Sequence, residues 1–244
     1  YGLTFPLLIK SLDCHDVLSV QVHPDDELAA ERHNSYGKTE MWYVSGCEPG
    51  AALYVGFKDT SITREEYLAA VNEDRLPEIL NRVEVKVGDV FFIPAGTVHA
   101  LGKGIEVLEI QQTSDVTYRI YDWNRVDDKG NPRELHTALA VDAIDFASDG
   151  DKCHIRYEEK VNQAVTMVDC PYFTTNIIAL EGEKEFDYAS LDSFVLYICT
   201  TGEADVTVGG VTEHITPYEL VMIPADADVV KLKGEAKLLE VYIK

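Results

Sequence analysis

Short runs of apolar, β-branched and aromatic residues recur along the chain, and turn-forming glycine, proline, asparagine and aspartate separate them. Runs of this kind are typical of β-strands. The first half contains predicted strands at 7–9, 17–22, 41–45, 51–56, 82–85, 90–93, 104–112 and 117–123. The second half contains predicted strands at 162–168, 173–179, 194–200, 204–208, 220–223 and 237–243. The pattern therefore predicts an all-β chain in two halves.

A few short helices interrupt the predicted strands. "DDELAAERH" opens with carboxylates, which favour a helix N-terminus, and "ITREEYLAAVNEDRLPEIL" predicts a helical insert at about 61–80. "RELHTALAVDAIDF" predicts a third helix after the polar hinge "NRVDDKGNP". We therefore expect a first domain at 1–125, a connecting segment with a helix at 126–160, and a second domain at 161–244.

Two proline-centred stretches, one in each half, resemble each other. "GDVFFIPAGTVHALG" aligns with "YELVMIPADADVVKL" when Pro94 is placed on Pro224. In this register Tyr218 replaces Gly88, Asp226 replaces Gly96, and Val229 replaces His99. The alignment predicts a duplicated unit whose second copy has lost its polar tip.

The stretch "LSVQVHPDDE" places two polar side chains on one face of a predicted strand. Val20 and Val22 alternate with Gln21 and His23. Because successive strand side chains point to opposite faces, Gln21 and His23 must project together. A glutamine and a histidine that share a face predict a common binding partner.

The first half contains a pattern that resembles the cupin β-barrels. The second cupin motif, G-x5-P-x-G-x2-H, is matched by Gly88, Pro94, Gly96 and His99. The first cupin motif has two histidines at i and i+2, followed by a glutamate, and Gln21, His23 and Glu40 stand at those places. The resemblance implies two jelly-roll barrels or sandwiches, the second degenerate and without metal.

Four residues are therefore expected to converge: Gln21, His23, Glu40 and His99. Two imidazoles and a carboxylate suit zinc and other divalent first-row metals, with the glutamine amide oxygen as a weaker fourth ligand. Each residue alone has an ordinary structural explanation, since a histidine at a strand end is often only hydrogen-bonded. The joint pattern predicts a metal site.

A longer resemblance extends over most of residues 5–136. "FPLLIKSLDCHDVLSVQVHPDD", "YGKTEMWYV", "GDVFFIPAGTVHALGKGIEVLEIQQTSDVTYRIYDWNR" and "GNPRELH" resemble the type I mannose-6-phosphate isomerases of the short bacterial form. This resemblance implies one zinc per chain on the four residues above. It also implies an aldose–ketose isomerase that interconverts mannose 6-phosphate and fructose 6-phosphate through a cis-enediol.

The same resemblance implies further site residues. Arg119 takes the place of the functional arginine, Lys10 and Lys38 match pocket lysines, and Glu109 and Asp115 match acidic pocket residues. We predict that Arg119, Lys38 and Glu109 are catalytic, and that Lys10, Lys38, Asp115 and Arg119 contact substrate. The base is left open between Glu109 and a lysine. Asp115 is expected to orient Arg119 on condition that the two share a strand face with no bulge between them.

The sequence also departs from the longer family members. Those carry His-Lys-Pro-Glu where this chain has Gly37, Lys38, Thr39 and Glu40, so a role of that histidine does not transfer. They also insert a helical domain that is not expected here.

Composition restricts the partners. The 244 residues are 46% hydrophobic and 26% charged, as in a globular protein, and no apolar run reaches the roughly 20 residues that span a bilayer. A formal charge of −22 argues against nucleic acid and anionic membranes. Five scattered cysteines without a C-x-x-C pair indicate reduced thiols. We expect a cytoplasmic monomer or weak homo-oligomer with a small sugar phosphate as partner.

Two other functions compete with the isomerase. Two histidines and a glutamate also describe the iron site of a metal-cupin enzyme of the Fe/Mn dioxygenase type. A non-catalytic sugar-binding cupin would hold ligands without turnover. The chain begins at Tyr1 rather than methionine, which is compatible with a preceding N-terminal segment.

Overall fold

The computed structural model describes residues 4–243, and β-strands account for most of their regular structure. The prediction of a mainly β chain is therefore confirmed. Two compact units divide between Ile155 and Arg156, inside the predicted connecting segment 126–160. Among residues 4–243, no helix is both long enough and apolar enough to cross a membrane.

The described residues of the first unit, 4–155, form ten strands and five short helices. The strands are β1 (Leu7–Cys14), β2 (Val20–Val22), β3 (Glu40–Cys47), β4 (Ala52–Phe57), β5 (Leu80–Glu84), β6 (Val90–Ile93), β7 (His99–Ala100), β8 (Ile105–Gln112), β9 (Tyr118–Tyr121) and β10 (His154–Ile155). The helices are α1 (Asp26–His33), α2 (Arg64–Asn72), α3 (Leu76–Ile79), α4 (Thr137–Ala143) and α5 (Gly150–Cys153).

These strands form two antiparallel five-stranded sheets, in the orders β1-β8-β3-β6-β10 and β5-β4-β7-β2-β9. A buried apolar cluster draws on both sheets, with Trp42 and Val107 from the first and Leu53 and Val55 from the second. Along β8, the side chains on the face of Val107 change from apolar to polar at Glu109. The interior is therefore hydrophobic at one end and polar at the other.

The opposite face of the second sheet is covered by helices. Val20 and Val22 of β2 are completely buried there, in one cluster with Ala140 and Val141 of α4. This packing explains the alternation in "SVQVH", since the valines face the helices and Gln21 faces the other way. The helix predicted within the segment 126–160 thus contributes to the core of the first unit.

The second unit is a six-stranded sheet with long, bent strands. Its strands are β11 (Ala164–Asp169), β12 (Thr174–Asp187), β13 (Val195–Val208), β14 (Val211–Ile215), β15 (Leu220–Ile223) and β16 (Val229–Tyr242), in the order β11-β12-β16-β13-β14 with β15 on β13.

Glycines allow these strands to bend without ending, and this corrects the predicted boundaries. The predicted strands 194–200 and 204–208 are one strand, β13, and 237–243 is only the end of β16. Gly202, at φ +77°, has no room for a Cβ, which would lie 1.9 Å from the Glu235 carbonyl oxygen. The glycine marks a kink in a continuous strand rather than a turn.

The two proline-centred stretches fold alike. Thr97 N–H donates to the Pro94 carbonyl at 3.1 Å, and Ala227 N–H donates to the Pro224 carbonyl at 3.1 Å. The strand after each turn begins at the aligned residue, His99 or Val229, but the two residues differ in burial. Val229, which the alignment places on His99, is 48% exposed, and its neighbour Val230 is the buried residue.

Candidate metal centre and its charged neighbours

Three ligand-type side chains meet at the polar end of the first unit. His23 follows β2, Glu40 begins β3 and His99 begins β7, and all three are at most 1% exposed. Their ligand atoms lie within 4.8 Å of one another. The Nε2 atom of His23 is 3.6 Å from Glu40 Oε2, and that of His99 is 3.5 Å from Glu40 Oε1. The structure therefore brings together three of the four predicted metal ligands.

Both imidazoles are fixed in the tautomer that suits a metal ligand. Nδ1 of His23 contacts the Val116 carbonyl at 3.0 Å, and Nδ1 of His99 contacts the Thr97 carbonyl at 2.8 Å. Because a carbonyl only accepts, each Nδ1 carries the proton and each Nε2 keeps its lone pair. The buried Nε2 of His23 has no hydrogen-bond partner among the described residues. Such an unpaired buried nitrogen requires an explanation, and a bound cation supplies one.

Gln21, the fourth predicted ligand, lies beside this cluster. It pairs with His99 across β2 and β7, and its Nε2 is 3.3 Å from His99 Nε2. The two ends of an amide are interchangeable by rotation about its last bond, which would direct Oε1 to the same place. The position of Gln21 suits a fourth ligand.

Burial determines the charge of this cluster. It lowers the pKa of His23 well below its usual value and that of His99 to about 4, so both rings are neutral at neutral pH. Burial, with repulsion from Glu109, raises the pKa of Glu40 to about 7. For Glu40, burial and repulsion from Glu109 outweigh the attraction of the nearby lysines. Two neutral imidazoles and such a carboxylate form a donor set for a divalent cation.

A tight turn positions His99. Gly96 adopts φ +87°, and a Cβ there would lie 3.1 Å from the Ala143 carbonyl oxygen. The Gly96 N–H also donates to the His23 carbonyl at 2.9 Å, which connects the turn to the other histidine. In the cupin-like motif, Gly96 therefore provides a backbone conformation that needs glycine, and His99, three residues later, is directed inward.

Two lysines and a second carboxylate lie next to the cluster of His23, Glu40 and His99. Lys38 Nζ lies 2.9 Å from Glu40 Oε2, and Lys10 Nζ lies 2.9 Å from Glu109 Oε1. Trp42 Nε1 donates to the other oxygen of Glu109 at 3.0 Å. Burial alone would raise the pKa of Glu109, but Lys38 and Lys10 outweigh it and the pKa is lowered. For Lys38, attraction to Glu40 and Glu109 outweighs burial, so its pKa is raised. Both groups are therefore charged.

Arg119 lies on the same sheet as Gln21 and His99. It pairs with Gln21 across β9 and β2, so the side chains of all three residues share a face. Its Nη1 donates to the Glu134 carbonyl at 2.9 Å. Among residues 4–243, no carboxylate lies within ion-pair distance of its guanidinium. Arg119 is thus a cation whose charge is available to an anionic ligand.

The expectation that Asp115 orients Arg119 is wrong. Asp115 is exposed, and within the described part of the chain it forms no ion pair with Arg119. The strand β9 begins only at Tyr118, so the alternation that would place the two residues on one face does not extend back to Asp115.

Sequence reasoning missed three residues that hold the predicted ones. Trp42 and Gln111 contact Glu109 and Lys10, and His136 contacts the backbone of Arg119. Trp42 and Gln111 were detectable, because each lies two residues from a predicted site residue on a strand, at Glu40 and Glu109. Only the folded chain reveals His136.

The loop that carries Lys38 is fixed to the start of α1. Asp25 caps this helix through the Leu28 N–H at 2.8 Å, and Asp26 Oδ1 accepts from the Gly37 N–H at 2.8 Å. The "PDD" after His23 therefore both begins a helix and anchors the loop that leads to Glu40.

We expect Gly37→Ala to impair both stability and activity. The added Cβ would lie 2.5 Å from backbone atoms of Asp25 and Asp26, so the loop carrying Lys38 must move. Overpacking of this kind costs about 1–3 kcal/mol. Thermal unfolding and turnover check the prediction. The control Gly50→Ala, where φ is +77° but an added Cβ would meet no non-neighbouring atom within 4 Å, should lose stability through backbone strain and leave turnover unchanged. An unaltered Gly37→Ala protein would show that the loop is not held as described.

The fold and the cluster define a class. A double-sheet β protein of this layout has the architecture of the cupins, and its buried histidine–glutamate–histidine set could hold a metal. Residues 163–243 match the family model for the cupin domain of mannose-6-phosphate isomerase, and residues 1–45 match the model for the catalytic domain of type I phosphomannose isomerase.

Full-length relatives extend these matches. The chain is 37% identical to mannose-6-phosphate isomerase ManA of Bacillus subtilis, covering 98% of this chain and 75% of the relative. The crystal structure of the mannose 6-phosphate isomerase from Bacillus subtilis superposes with a TM-score of 0.89 at 33% identity, covering 100% of this chain and 77% of that one. The chain belongs to the mannose-6-phosphate isomerase family.

A more distant structure shares the fold. A mannose 6-phosphate isomerase bound with zinc and yttrium matches with a TM-score of 0.74 at 17% identity, covering 98% of this chain and 79% of that one. At this identity the match supports the architecture alone.

Proposed function

We propose that the protein is a zinc-dependent isomerase that interconverts mannose 6-phosphate and fructose 6-phosphate through a cis-enediol. The observation that carries the proposal is the buried set of His23, Glu40 and His99, with each Nε2 atom within 3.6 Å of a Glu40 carboxylate oxygen, in a chain of this family. One zinc per chain would be held by these three residues and Gln21. Zinc accepts this donor set in tetrahedral sites.

When bound, the metal would act as a Lewis acid on the sugar's carbonyl group, which makes the proton on the neighbouring carbon easier to remove. The chain's own task is to hold the sugar and to move that proton. A carbon acid next to a carbonyl needs a base on the correct face and positive charge near the developing oxyanion.

Glu109 is the proposed base. Lys10 and Trp42 fix one oxygen each, and its lowered pKa keeps it ionised and able to accept a proton. The raised pKa of Lys38 keeps that residue protonated, which suits a cation that stabilises negative charge better than it suits a base. The charge states therefore favour Glu109 over a lysine, the two options that the sequence left open.

The substrate's phosphate and oxyanion require the cations. Arg119 has no carboxylate partner within the described residues, and its planar guanidinium suits an oxyanion or phosphate. Lys10 and Lys38 would contribute charge while remaining paired with Glu109 and Glu40. Asp115, exposed in the loop before β9, is proposed only as an acceptor for sugar hydroxyls at the rim.

The second unit is proposed to be a degenerate copy without metal. Ile93 of the first unit aligns with Ile223 of the second. Glu40 pairs with Ile93 and Val195 pairs with Ile223, so Val195 is the counterpart of Glu40. Val230 occupies the buried position that follows the second turn. Valines have no donor atoms, so this unit would serve as a β-domain without chemistry of its own.

Parallel assays separate the proposal from its competitors. The purified protein is analysed for bound metal, then tested for conversion of mannose 6-phosphate to fructose 6-phosphate and for oxygen uptake. We expect bound zinc, isomerisation and no oxygen consumption. Oxygen uptake without isomerisation would instead indicate the dioxygenase type. Sugar-phosphate binding without turnover would indicate the non-catalytic cupin.

A further inference from the structure

Arg119 lies on the edge strand β9, and His136 occupies the outer edge of that strand. The Arg119 N–H donates to His136 Nδ1 at 3.0 Å, and the His136 N–H donates to the Arg119 carbonyl at 2.7 Å. Edge strands usually leave such groups to solvent or to another chain. Here one residue satisfies both groups, because its ring nitrogen takes the place of a backbone carbonyl.

The guanidinium of Arg119 is attached to the same short segment. Its Nη1 donates to the Glu134 carbonyl at 2.9 Å. Its Nε is buried and has no hydrogen-bond partner among residues 4–243. Segment 134–136 therefore holds the arginine at its backbone and at one tip of its side chain, and leaves other donors uncommitted.

The segment is itself held at both ends. After it, the Ala140 N–H donates to the His136 carbonyl at 2.8 Å, and Ala140 is buried beneath β2. Before it, Arg133 Nε donates to Asp122 Oδ2 at 2.7 Å. The acceptor on His136 is consequently attached to a helix and an ion pair rather than to a free loop.

We propose that His136 is a positioning residue that fixes Arg119 in the active site through its Nδ1 lone pair. The inference rests on the role proposed above for Arg119. Removing the acceptor leaves the Arg119 N–H unpaired at an edge where it is partly buried, so β9 would relax outward there. A displacement of about 1 Å in a positioned group is enough to lower turnover by roughly a hundredfold.

The test combines a conservative rescue with a double-mutant cycle. His136→Ala removes the acceptor, whereas His136→Asn places a carbonyl oxygen close to the position of Nδ1. We expect His136→Ala to lower kcat for mannose 6-phosphate at least tenfold with bound zinc unchanged, and His136→Asn to recover most of it. In the Arg119→Ala background, His136→Ala should cause no further loss, because its effect passes through the arginine.

His154→Ala is the matched control. Its ring is also mostly buried, stacked on Phe91 with the centroids 4.5 Å apart, and it lies outside the proposed machinery. This variant should keep its kcat even if its melting temperature falls. A matching fall in kcat would show that loss of any packed imidazole explains the His136 result.

Each remaining outcome is decisive. Equal kcat values for His136→Ala and His136→Asn, or equal losses from His136→Ala with and without Arg119, would overturn the positioning role. If His136→Ala does not fold, His136→Gln replaces it, since glutamine cannot place its oxygen at the Nδ1 position. Normal turnover in Arg119→Ala would instead overturn the proposed function of Arg119, a result that the His136 variants alone cannot produce.

Discussion

Glu40→Ala is expected to lose bound zinc and isomerase activity together. Glu40 is the only carboxylate in the cluster with His23 and His99, and it supplies the negative charge that the two neutral imidazoles lack. The substitution also leaves Lys38 buried without its 2.9 Å partner, which disfavours a second cation there. A metal centre contributes several kcal/mol, so we expect turnover to fall roughly 10³-fold or more.

Metal content measured beside kcat checks this expectation. Glu84→Ala removes an exposed carboxylate whose ion pair with Arg82 lies on the surface, and it should change neither quantity. A Glu40→Ala protein that turns over normally after losing its metal would refute zinc dependence. One that keeps full zinc would remove Glu40 from the ligand set.

Arg119→Ala is expected to lower kcat about a hundredfold or more while bound zinc stays at one per chain. Removal of one preorganised donor to a developing oxyanion typically has an effect of this size. Arg119→Lys keeps the charge but loses the planar pair of donors, so we expect only partial recovery. The rings of His23 and His99 are held by backbone carbonyls rather than by Arg119, so the metal site should persist.

Steady-state kinetics with zinc analysis distinguishes catalysis from binding. A rise in KM with kcat unchanged would indicate that Arg119 only binds phosphate. Arg82→Ala, at a half-exposed arginine paired with Glu84, is the control and should be silent. Arg119→Ala with wild-type kinetics would place the positive charge needed for reaction elsewhere.

Much of the site is visible in the sequence because strand geometry is regular. The alternation in "SVQVH" places Gln21 beside His23, and the P-x-G turn directs His99 inward, so local rules were enough. The pairing of Lys10 with Glu109 depends on the register of β1 against β8, which only the folded chain shows. The contact of His136 with the Arg119 backbone could not be predicted from the sequence either, because it arises where a helix begins beside an edge strand.

The fold was predictable to the level of strands but not to that of their ends. In the second unit, the predicted strands break at Gly202 and resume only after Gly234, although close contact with the opposing backbone makes both glycines kinks within long strands. Strand β14 escaped prediction because its first four residues are exposed and its pattern lacks an apolar face. The pairing of Asp115 with Arg119 failed for a similar reason, since no strand continues between them.

Zinc titration of metal-depleted protein shows whether isomerisation depends on bound zinc. The protein is stripped with a chelator, zinc is restored stepwise, and conversion of mannose 6-phosphate to fructose 6-phosphate is measured at each step. We expect activity to be lost on stripping and to return in proportion to bound zinc, with saturation at one zinc per chain. Full isomerisation by the stripped protein, or one bound zinc without any isomerisation, would contradict it.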